Sequence, residues 1–291
     1  EPAEHQGQAP HVLVGEHHAM LRFAHGTTHQ TIYFPEVKAF HACLPDRHTQ
    51  DSIADTLGAL DDKVESNARV ARVLFDLARN LMGGSTRVRV GDVASLDKGL
   101  SYKGAGLVEH GQMQMVNLSN FKASGLLDRT AFKFYDGEYK PRHLVRRRDL
   151  VIANTDLTQQ RVILGRPALL PSDIDACLFT HHVFAVRFTD DNALTLPLWA
   201  ALGSVEFRDR AEGFATGTTV AGLPKDAVLG FEFAVPDDSS VIDESWNLIE
   251  RAWAAERESE DLAALRDALL PELLSGRLRV REAEELVSDV T

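Results

Sequence analysis

The side chains best suited to contact nucleic acid are concentrated between residues 101 and 161. Arginine and lysine pair with guanine edges, asparagine and glutamine pair with adenine edges, and cationic or hydroxyl side chains contact phosphates. Candidate contacts of this kind are Ser101, Tyr102, Lys103, Asn117, Asn120, Lys122, Lys140, Arg142, Arg146, Arg147, Arg148, Asn154, Thr155, Thr158, Gln159 and Arg161, followed later in the chain by Thr218 and Thr219.

Several of these residues also have ordinary structural explanations. An arginine run such as 146–148 is more often a solvated face than a nucleic-acid footprint. Asn154 and Thr155 follow an apolar run directly, where such residues commonly cap a helix or shape a turn. His181 and His182 begin another apolar run and are expected to pack rather than to bind a ligand.

Catalytic chemistry has weaker support in the sequence. Asp136, Glu138 and Lys140 follow the order that metal-dependent nucleases use, so a stand-alone nuclease is the alternative function. His25 and His29 lack an accompanying Cys-x-x-Cys or His-Glu-x-x-His string, so no metal site is predicted. No glycine-rich cofactor loop follows a strand, which argues against a methyltransferase. No catalytic residue is therefore expected.

The net charge of −12 argues against a nucleic-acid partner, but the acidity is unevenly distributed. Residues 237–291 contain 6 basic against 15 acidic residues, whereas residues 84–236 contain 18 against 17. Nucleic-acid contacts are therefore expected in the middle of the chain.

Cysteine usage and hydropathy bear on the location of the protein. Cys43 and Cys177 each stand in an Ala-Cys-Leu string, which predicts buried, reduced thiols in a cytoplasmic protein. No apolar run is long enough to span a bilayer, and no charged-then-apolar leader is recognised, so no membrane partner is expected.

Two long helices are predicted, over residues 49–84 and 237–275, because small and apolar residues recur at heptad spacing. The seam residues are Leu57, Leu60, Val64, Asn67 and Leu74 on the first helix, and Trp246, Ile249 and Trp253 on the second. A charged stretch at 256–261 interrupts the second pattern. The two helices are expected to pack as an antiparallel pair, or alternatively to bind two different partner proteins.

An internal repeat divides the rest of the chain. Gly-Thr-Thr at 26–28 recurs at 217–219, and Pro-Asp at 45–46 recurs at 236–237 in the same register. Residues 85–236 are predicted to form a mixed α/β domain, with strand-like runs at 88–93, 113–118, 150–153, 182–188 and 229–235, and a short helix at 197–202. Residues 1–48 are predicted to be the end of an equivalent first domain, and 276–291 a tail.

The sequence resembles the specificity subunits of type I restriction-modification systems. The strings that carry the resemblance begin at Gly26 (Gly-Thr-Thr-His-Gln), Leu57 (Leu-Gly-Ala-Leu-Asp-Asp-Lys-Val-Glu-Ser-Asn), Val88 (Val-Arg-Val-Gly-Asp-Val), Gly99 (Gly-Leu-Ser-Tyr-Lys-Gly), Gly137 (Gly-Glu-Tyr-Lys-Pro-Arg), Asp149 (Asp-Leu-Val-Ile-Ala-Asn-Thr-Asp-Leu-Thr-Gln) and Leu265 (Leu-Arg-Asp-Ala-Leu-Leu-Pro-Glu-Leu-Leu-Ser-Gly). The resemblance implies an α/β (α+β) target-recognition domain and two long helices that pair as an antiparallel coiled-coil spacer. The chain departs from the family in lacking most of a first recognition domain and in its acidity.

The resemblance also implies a non-catalytic role in a larger complex. The chain would read one half of a bipartite site in double-stranded DNA, and a self-dimer is expected if it is a half-subunit. Modification subunits would methylate adenine, and a restriction subunit would translocate and cut DNA. S-adenosylmethionine, ATP and magnesium are expected on those partners, and no cofactor on this chain.

Overall fold

The computed structural model describes residues 31–32, 45–122, 126–158, 160–189, 192–217 and 220–290. The chain divides into two compact units. A helical unit comprises Glu1–Val70 with Ala255–Thr291, and an α/β unit comprises Ala71–Ala254. Within those described ranges, no helix combines the length and the apolar character that a membrane crossing requires. Most of the predicted remnant domain 1–48 lies outside the described residues.

The described residues contain seven α-helices and thirteen strands. The helices are α1 (Arg47–Asn80), α2 (Val90–Val93), α3 (Thr195–Leu202), α4 (Val205–Phe214), α5 (Lys225–Leu229), α6 (Ser240–Leu274) and α7 (Val280–Ser288). The strands are β1 (Thr86–Arg89), β2 (Ala94–Lys98), β3 (Leu107–Val108), β4 (Gln114–Val116), β5 (Lys133–Tyr135), β6 (Leu144–Arg146), β7 (Leu150–Ala153), β8 (Thr155–Asp156), β9 (Pro167–Leu169), β10 (Ala176–Phe179), β11 (Val183–Phe188), β12 (Ala221–Gly222) and β13 (Glu232–Val235).

The core of the helical unit joins α1, α6 and α7. Its buried members are Ile53, Leu57, Leu60, Leu262, Leu269, Leu273, Ala283 and Val287. Asp61 bonds Arg266 at 2.6 Å, and Asn67 bonds Glu258 at 2.9 Å. The α1 residue with the higher residue number therefore contacts the α6 residue with the lower one, which is the arrangement of an antiparallel pair. Asn67 and Glu258 are 191 residues apart, the offset of the sequence repeat.

The C-terminal segment corrects one expectation. The sequence predicts 276–291 as a tail, but α7 forms there and buries Ala283 and Val287, one helical turn apart, against the core. The helix before it agrees with the prediction, because α6 is one helix of 35 residues and the charged stretch at 256–261 interrupts only its apolar pattern. Pro271 is accommodated in the last turn, and Gly276, with φ +71, follows the end of the helix.

The buried positions on α1 leave the heptad register in its last third. From Ile53 to Ala71 the predicted seam holds, but Phe75 is then buried to 5% exposure while Leu74 is only half-buried. The buried positions 67, 71 and 75 are separated by four residues twice in succession, whereas a heptad seam alternates steps of three and four. This spacing is typical of an 11-residue repeat, which does not impose the left-handed supercoil of a heptad repeat. The prediction of one unbroken heptad seam through Leu74 is therefore wrong.

The α/β unit contains a four-stranded sheet, ordered β2-β11-β7-β9, and a five-stranded sheet, ordered β3-β5-β4-β10-β6. One core joins both sheets; its members include Val116, Val145, Val151, Ala153, Cys177, Phe179 and Ala185. β1 pairs with β13 antiparallel, so the first and last strands of the unit are joined. This pairing holds together the two ends of the segment between the long helices.

Several local predictions for this unit are confirmed. β7 has the predicted bounds, and β11 begins one residue later than predicted. Cys177 is a buried free thiol whose pKa burial raises to about 12; Cys43 lies outside the described residues. Two strand predictions are partly wrong, because 90–93 forms α2 and Leu229 ends α5.

Candidate nucleic-acid interface

Strand register collects several polar segments at one end of the two sheets. Lys98 ends β2 and pairs with Phe184 at the start of β11, while Ala153 ends β7 and pairs with Val183. In the other sheet, β10 and β4 run parallel and end together. We call this end the loop edge. The segments that leave it are 99–106, 117–122, 126–132, 154–158, 160–166 and 180–182.

The loop that follows β2 carries the first group of predicted contacts. Gly99 is required there, because a Cβ would lie 2.3 Å from the carbonyl oxygens of Phe179 and Thr180. Beyond it, Ser101 and Lys103 are exposed, and Tyr102 is half-buried. The Tyr102 hydroxyl lies 3.2 Å from Nζ of Lys133, a cation that sequence reasoning missed.

Asn117 and Asn120 are structural residues, which corrects their prediction as nucleic-acid contacts. Asn120 has no exposed surface, and its Oδ1 accepts from the Asn117 backbone N–H at 2.8 Å. Its Nδ2 donates to the carbonyl of Asp128 at 2.7 Å. These bonds fasten the base of the loop after β4, so neither amide is available to a base edge. Lys122 lies beside them, half-exposed, and pairs with Asp128 at 3.3 Å.

The loop after β7 is anchored by a buried carboxylate that sequence reasoning did not single out. Asp156 is fully buried, and its two oxygens accept from the backbone N–H groups of Thr158 and Ile163, each at 2.7 Å. Arg161 is partly exposed near the turn of this loop and has φ +49. Thr158 is exposed, and Gln159 lies outside the described residues.

Asn154 and Thr155 lie at the base of the same loop, and the structure corrects their predicted role too. The Asn154 side chain donates to the carbonyl of His181 and accepts from the Thr155 hydroxyl at 2.8 Å. Both residues are buried, so the turn-forming explanation describes them better than base contact. Thr218 and Thr219 lie outside the described residues, in the connection between Thr216 and β12, which pairs with β8.

His181 and His182 are half-buried at the loop edge, just before β11. Their rings are in contact, with centroids 3.8 Å apart and planes tilted by 40°. Burial lowers the pKa of His182, and the nearby His181, Lys98 and Lys133 lower it further. Packing alone does not describe this pair, because four basic side chains from three segments converge here.

Four of the predicted arginines lie at the other end of the sheets together with Arg187, which was not predicted. We call this end the arginine edge and define it by Arg142, Arg146, Arg147, Arg148 and Arg187. β6 ends there, because Arg146 pairs with Ala176 at the start of β10. A cavity of about 400 Å³ is lined by Arg142, Arg146, Asp149 and Arg187. Lys140 is exposed on the segment leading into β6. The structure therefore does not bring the arginine run and the loop residues onto one edge.

Most arginines of this edge are engaged by carboxylates. Arg187 bonds Asp97 at 3.1 Å and Asp149 at 3.0 Å. Burial raises the pKa of Asp149, although the Arg146 backbone N–H and Arg187 act in the opposite direction. Arg147 bonds Asp175.

Arg148 joins the arginine edge to α6. It donates to Glu250 at 2.8 and 3.0 Å, and its guanidinium lies 4.7 Å from the centroid of the Trp246 ring. Its φ of +65 is a left-handed conformation that L-residues adopt rarely. These contacts indicate that the Arg148 side chain has a structural role, in holding the arginine edge against α6.

The nuclease alternative gains no support from the structure. Asp136, Glu138 and Lys140 are exposed, and their carboxylates do not converge with a third ligand. Across the described ranges, no group of three histidine, cysteine, aspartate or glutamate side chains could hold a metal ion.

The predicted seam residues are mainly used within the chain. Leu57, Leu60, Asn67, Ile249 and Trp253 are buried, and the others, Val64, Leu74 and Trp246, are half-buried. In the α/β unit, Phe75 of α1 packs 6.5 Å from Trp253 and 5.9 Å from Trp199, between ring centroids. Val73 and Leu77, on the opposite side of α1, are 60% and 46% exposed.

The described chain is similar in fold to solved S subunits of type I restriction-modification systems. The S subunit from M. genitalium matches over 87% of this chain and 68% of its own, with 15% identity and a TM-score of 0.55. The HsdS subunit from Thermoanaerobacter tengcongensis matches over 89% of this chain and 66% of its own, with 15% identity and a TM-score of 0.39. A structure describing complex assembly and conformational transition of the type I R-M system matches over 86% and 64%, with 13% identity and a TM-score of 0.43.

The chain thus spans about two thirds of the length of these neighbours. No family model matches the sequence, and no curated protein matches it. At 15% identity, the M. genitalium match establishes a common fold.

Proposed function

We propose that this chain is the DNA-specificity subunit of a type I restriction-modification complex, and that its α/β unit reads one half of a bipartite target. The observation that carries the proposal is the S-subunit fold over 87% of the chain, combined with the loop edge. That edge presents exposed Ser101, Lys103 and Thr158 on loops whose bases are fixed by hydrogen bonds, from the Leu100 N–H to the Phe179 carbonyl at 2.8 Å and from the Ile163 N–H to Asp156 at 2.7 Å.

Rigid loop bases with exposed polar tips suit the reading of a DNA groove. Base recognition needs hydrogen-bonding groups held in a defined geometry, because a mobile loop loses affinity on ordering. Asp156 and Asn120 provide that support by satisfying backbone groups at the loop bases. Arg161 is the strongest remaining candidate for sequence readout, because it is accessible and lies between the two residues, Thr158 and Ile163, that Asp156 anchors. Thr158 is exposed as well, although its hydroxyl is bonded to Asp156 at 2.7 Å.

The long helices would set the distance to the second half-site and dock the partner subunits. Half-site spacing is generally fixed by rigid geometry, and α1 and α6 have 34 and 35 residues. In this proposal, the paired helices form the coiled-coil spacer. Val73 and Leu77 leave apolar surface exposed on α1, a feature that often marks protein contact.

The chemistry of modification and cleavage would belong to those partners. Modification subunits would hold S-adenosylmethionine and methylate a flipped adenine, and a restriction subunit would use ATP and magnesium. This chain would position them without itself catalysing a step. Residues 1–48 would be the end of a first recognition domain, so a second copy or another chain would supply the other half of the reading surface.

Co-expression with the type I modification subunit from the same genome tests this function. We expect a stable complex and adenine methylation at a motif with two defined parts separated by a fixed gap. A continuous motif would contradict half-site reading, and failure to bind both the modification subunit and duplex DNA would overturn the proposal.

A matched pair of variants tests docking on α1. Val73→Glu should disrupt the complex with the modification subunit while leaving DNA binding by the isolated chain unchanged. Val205→Glu is the control, because Val205 is 74% exposed on α4, a helix not proposed to dock a partner. Equal complex formation by both variants would place docking elsewhere.

A further inference from the structure

Four basic side chains converge at the loop edge, although none was predicted to contact nucleic acid. Lys98 is the last residue of β2, Lys133 is the first residue of β5, and His181 and His182 precede β11. They come from both sheets, and the loop after Lys98 joins them: the His181 N–H donates to the Leu100 carbonyl at 3.0 Å, and the Tyr102 hydroxyl lies 3.2 Å from Nζ of Lys133. Their proximity therefore depends on tertiary structure and not on a local charge run.

The two lysines are exposed and lack carboxylate partners. In the part of the chain that the structure describes, neither Lys98 nor Lys133 makes an ion pair. Lys133 instead contacts Tyr102, with Nζ 3.2 Å from the hydroxyl and 5.6 Å from the ring centroid. Tyr102 therefore steadies the lysine without neutralising its charge.

The pKa of His182 is affected by the same neighbouring side chains. Burial is the largest cause that lowers its pKa, followed by the charges of His181, Lys98 and Lys133. These three groups are the charged or titratable neighbours that act on it, and all of them disfavour a proton. Near neutral pH the imidazole is therefore uncharged. An anion bound among these groups would raise the pKa of His182 and favour its protonated form.

We propose that Lys98, Lys133 and His182 bind a phosphate of the DNA backbone, with His182 taking up a proton as the complex forms. This inference rests on the proposed DNA-binding function and assigns contacts within it. Lysine ammonium groups suit phosphate as point charges, and an imidazolium adds a hydrogen-bond donor. None of the three offers the planar amide or guanidinium that reads a base edge in two bonds, so the contact is independent of sequence.

Two measurable consequences follow. Each lysine that neutralises a phosphate contributes about one unit to the slope of log affinity against log salt. Uptake of one proton makes the affinity fall as pH rises, by up to about tenfold per pH unit between the His182 pKa in the free chain and that in the complex.

The test uses the full chain and a labelled duplex of randomised sequence, with binding followed by fluorescence anisotropy over a range of salt concentration and pH. Lys98→Gln and Lys133→Gln should each reduce the salt slope by about one unit. Arg69→Gln is the control for loss of one positive charge, because Arg69 is exposed on α1 in the helical unit. Thermal unfolding of each variant establishes that it remains folded.

His182→Gln should abolish the pH dependence that the unmodified chain shows, whereas His48→Gln, at an exposed site on α1, should preserve it. The inference is overturned if DNA binds and the lysine variants behave like Arg69→Gln, or if His182→Gln retains the full pH dependence. Absence of duplex binding by the unmodified chain, both alone and with the modification subunit, would instead overturn the proposed function.

Discussion

The two ends of the α/β unit both carry basic residues but use the central ones differently. At the arginine edge, Arg187 and Arg148 are bonded to carboxylates and hold strands and helix in place. At the loop edge, Lys98 and Lys133 have tyrosine or histidine neighbours and no ion pair among the described residues. A positive charge in a sequence is therefore available for a DNA contact only when the fold leaves it without a counterion.

Loss of the buried anchor should produce the largest change at the loop edge. Asp156→Ala leaves the N–H groups of Thr158 and Ile163 without an acceptor, so the free energy of unfolding should fall by about 3 kcal/mol. Chemical denaturation measures this loss. Asp136→Ala is the control, because Asp136 is exposed. A loss as small as the control's would mean that the loop is held by other contacts.

At the arginine edge, Arg187→Ala should lower the free energy of unfolding by about 2 kcal/mol, since it leaves Asp97 and the largely buried Asp149 without their partner. The salt slope of DNA binding should not change. A reduced slope with unchanged stability would show that Arg187 contacts phosphate, and the contrast between the edges would then be lost.

Arg148→Ala should cost about 1 kcal/mol of stability, because the ion pair with Glu250 and the contact with Trp246 are both partly exposed. The matched comparison is Lys103→Ala at the loop edge. That variant should weaken DNA binding and lower the salt slope by about one unit without a change in the unfolding midpoint. If both variants change stability and DNA binding in the same way, the two edges are not functionally distinct.

The smallest effect on stability is expected at Arg161. Arg161→Gly relieves the left-handed backbone at φ +49 and should raise the free energy of unfolding by up to about 1 kcal/mol. The same change removes the side chain proposed to read sequence, so the methylated motif should broaden at one position. Arg161→Ala should broaden it equally without the gain in stability, and an unchanged motif in both would exclude Arg161 from readout.

Sequence reasoning succeeded where a pattern is local. Heptad spacing located α1 and α6 and the buried position of Asn67, and an apolar run located β7. It failed where the outcome depends on strand register, because no local pattern shows that Lys98 and Lys133 both lie close enough to His182 to lower its pKa. The same limit applies to Asn120, whose burial depends on the distant Asp128 carbonyl.

One signal could have been recognised in advance. Asp156 directly follows the Asn154-Thr155 pair and precedes Thr158, an arrangement in which a carboxylate commonly bonds the backbone two residues later. That pattern favours a structured loop base. The φ of +65 at Arg148, by contrast, arises from the tight connection between β6 and β7 and has no equivalent signal in an arginine run.

The buried hydrogen bonds of Asn120 and Asp156 have an evolutionary consequence. They place the stability of the loop edge in residues that do not need to contact DNA in the proposed function, so an accessible position such as Arg161 can change at little cost to folding. A protein built in this way can acquire a new target by drift at the loop tips, while the anchors beneath them stay under constraint.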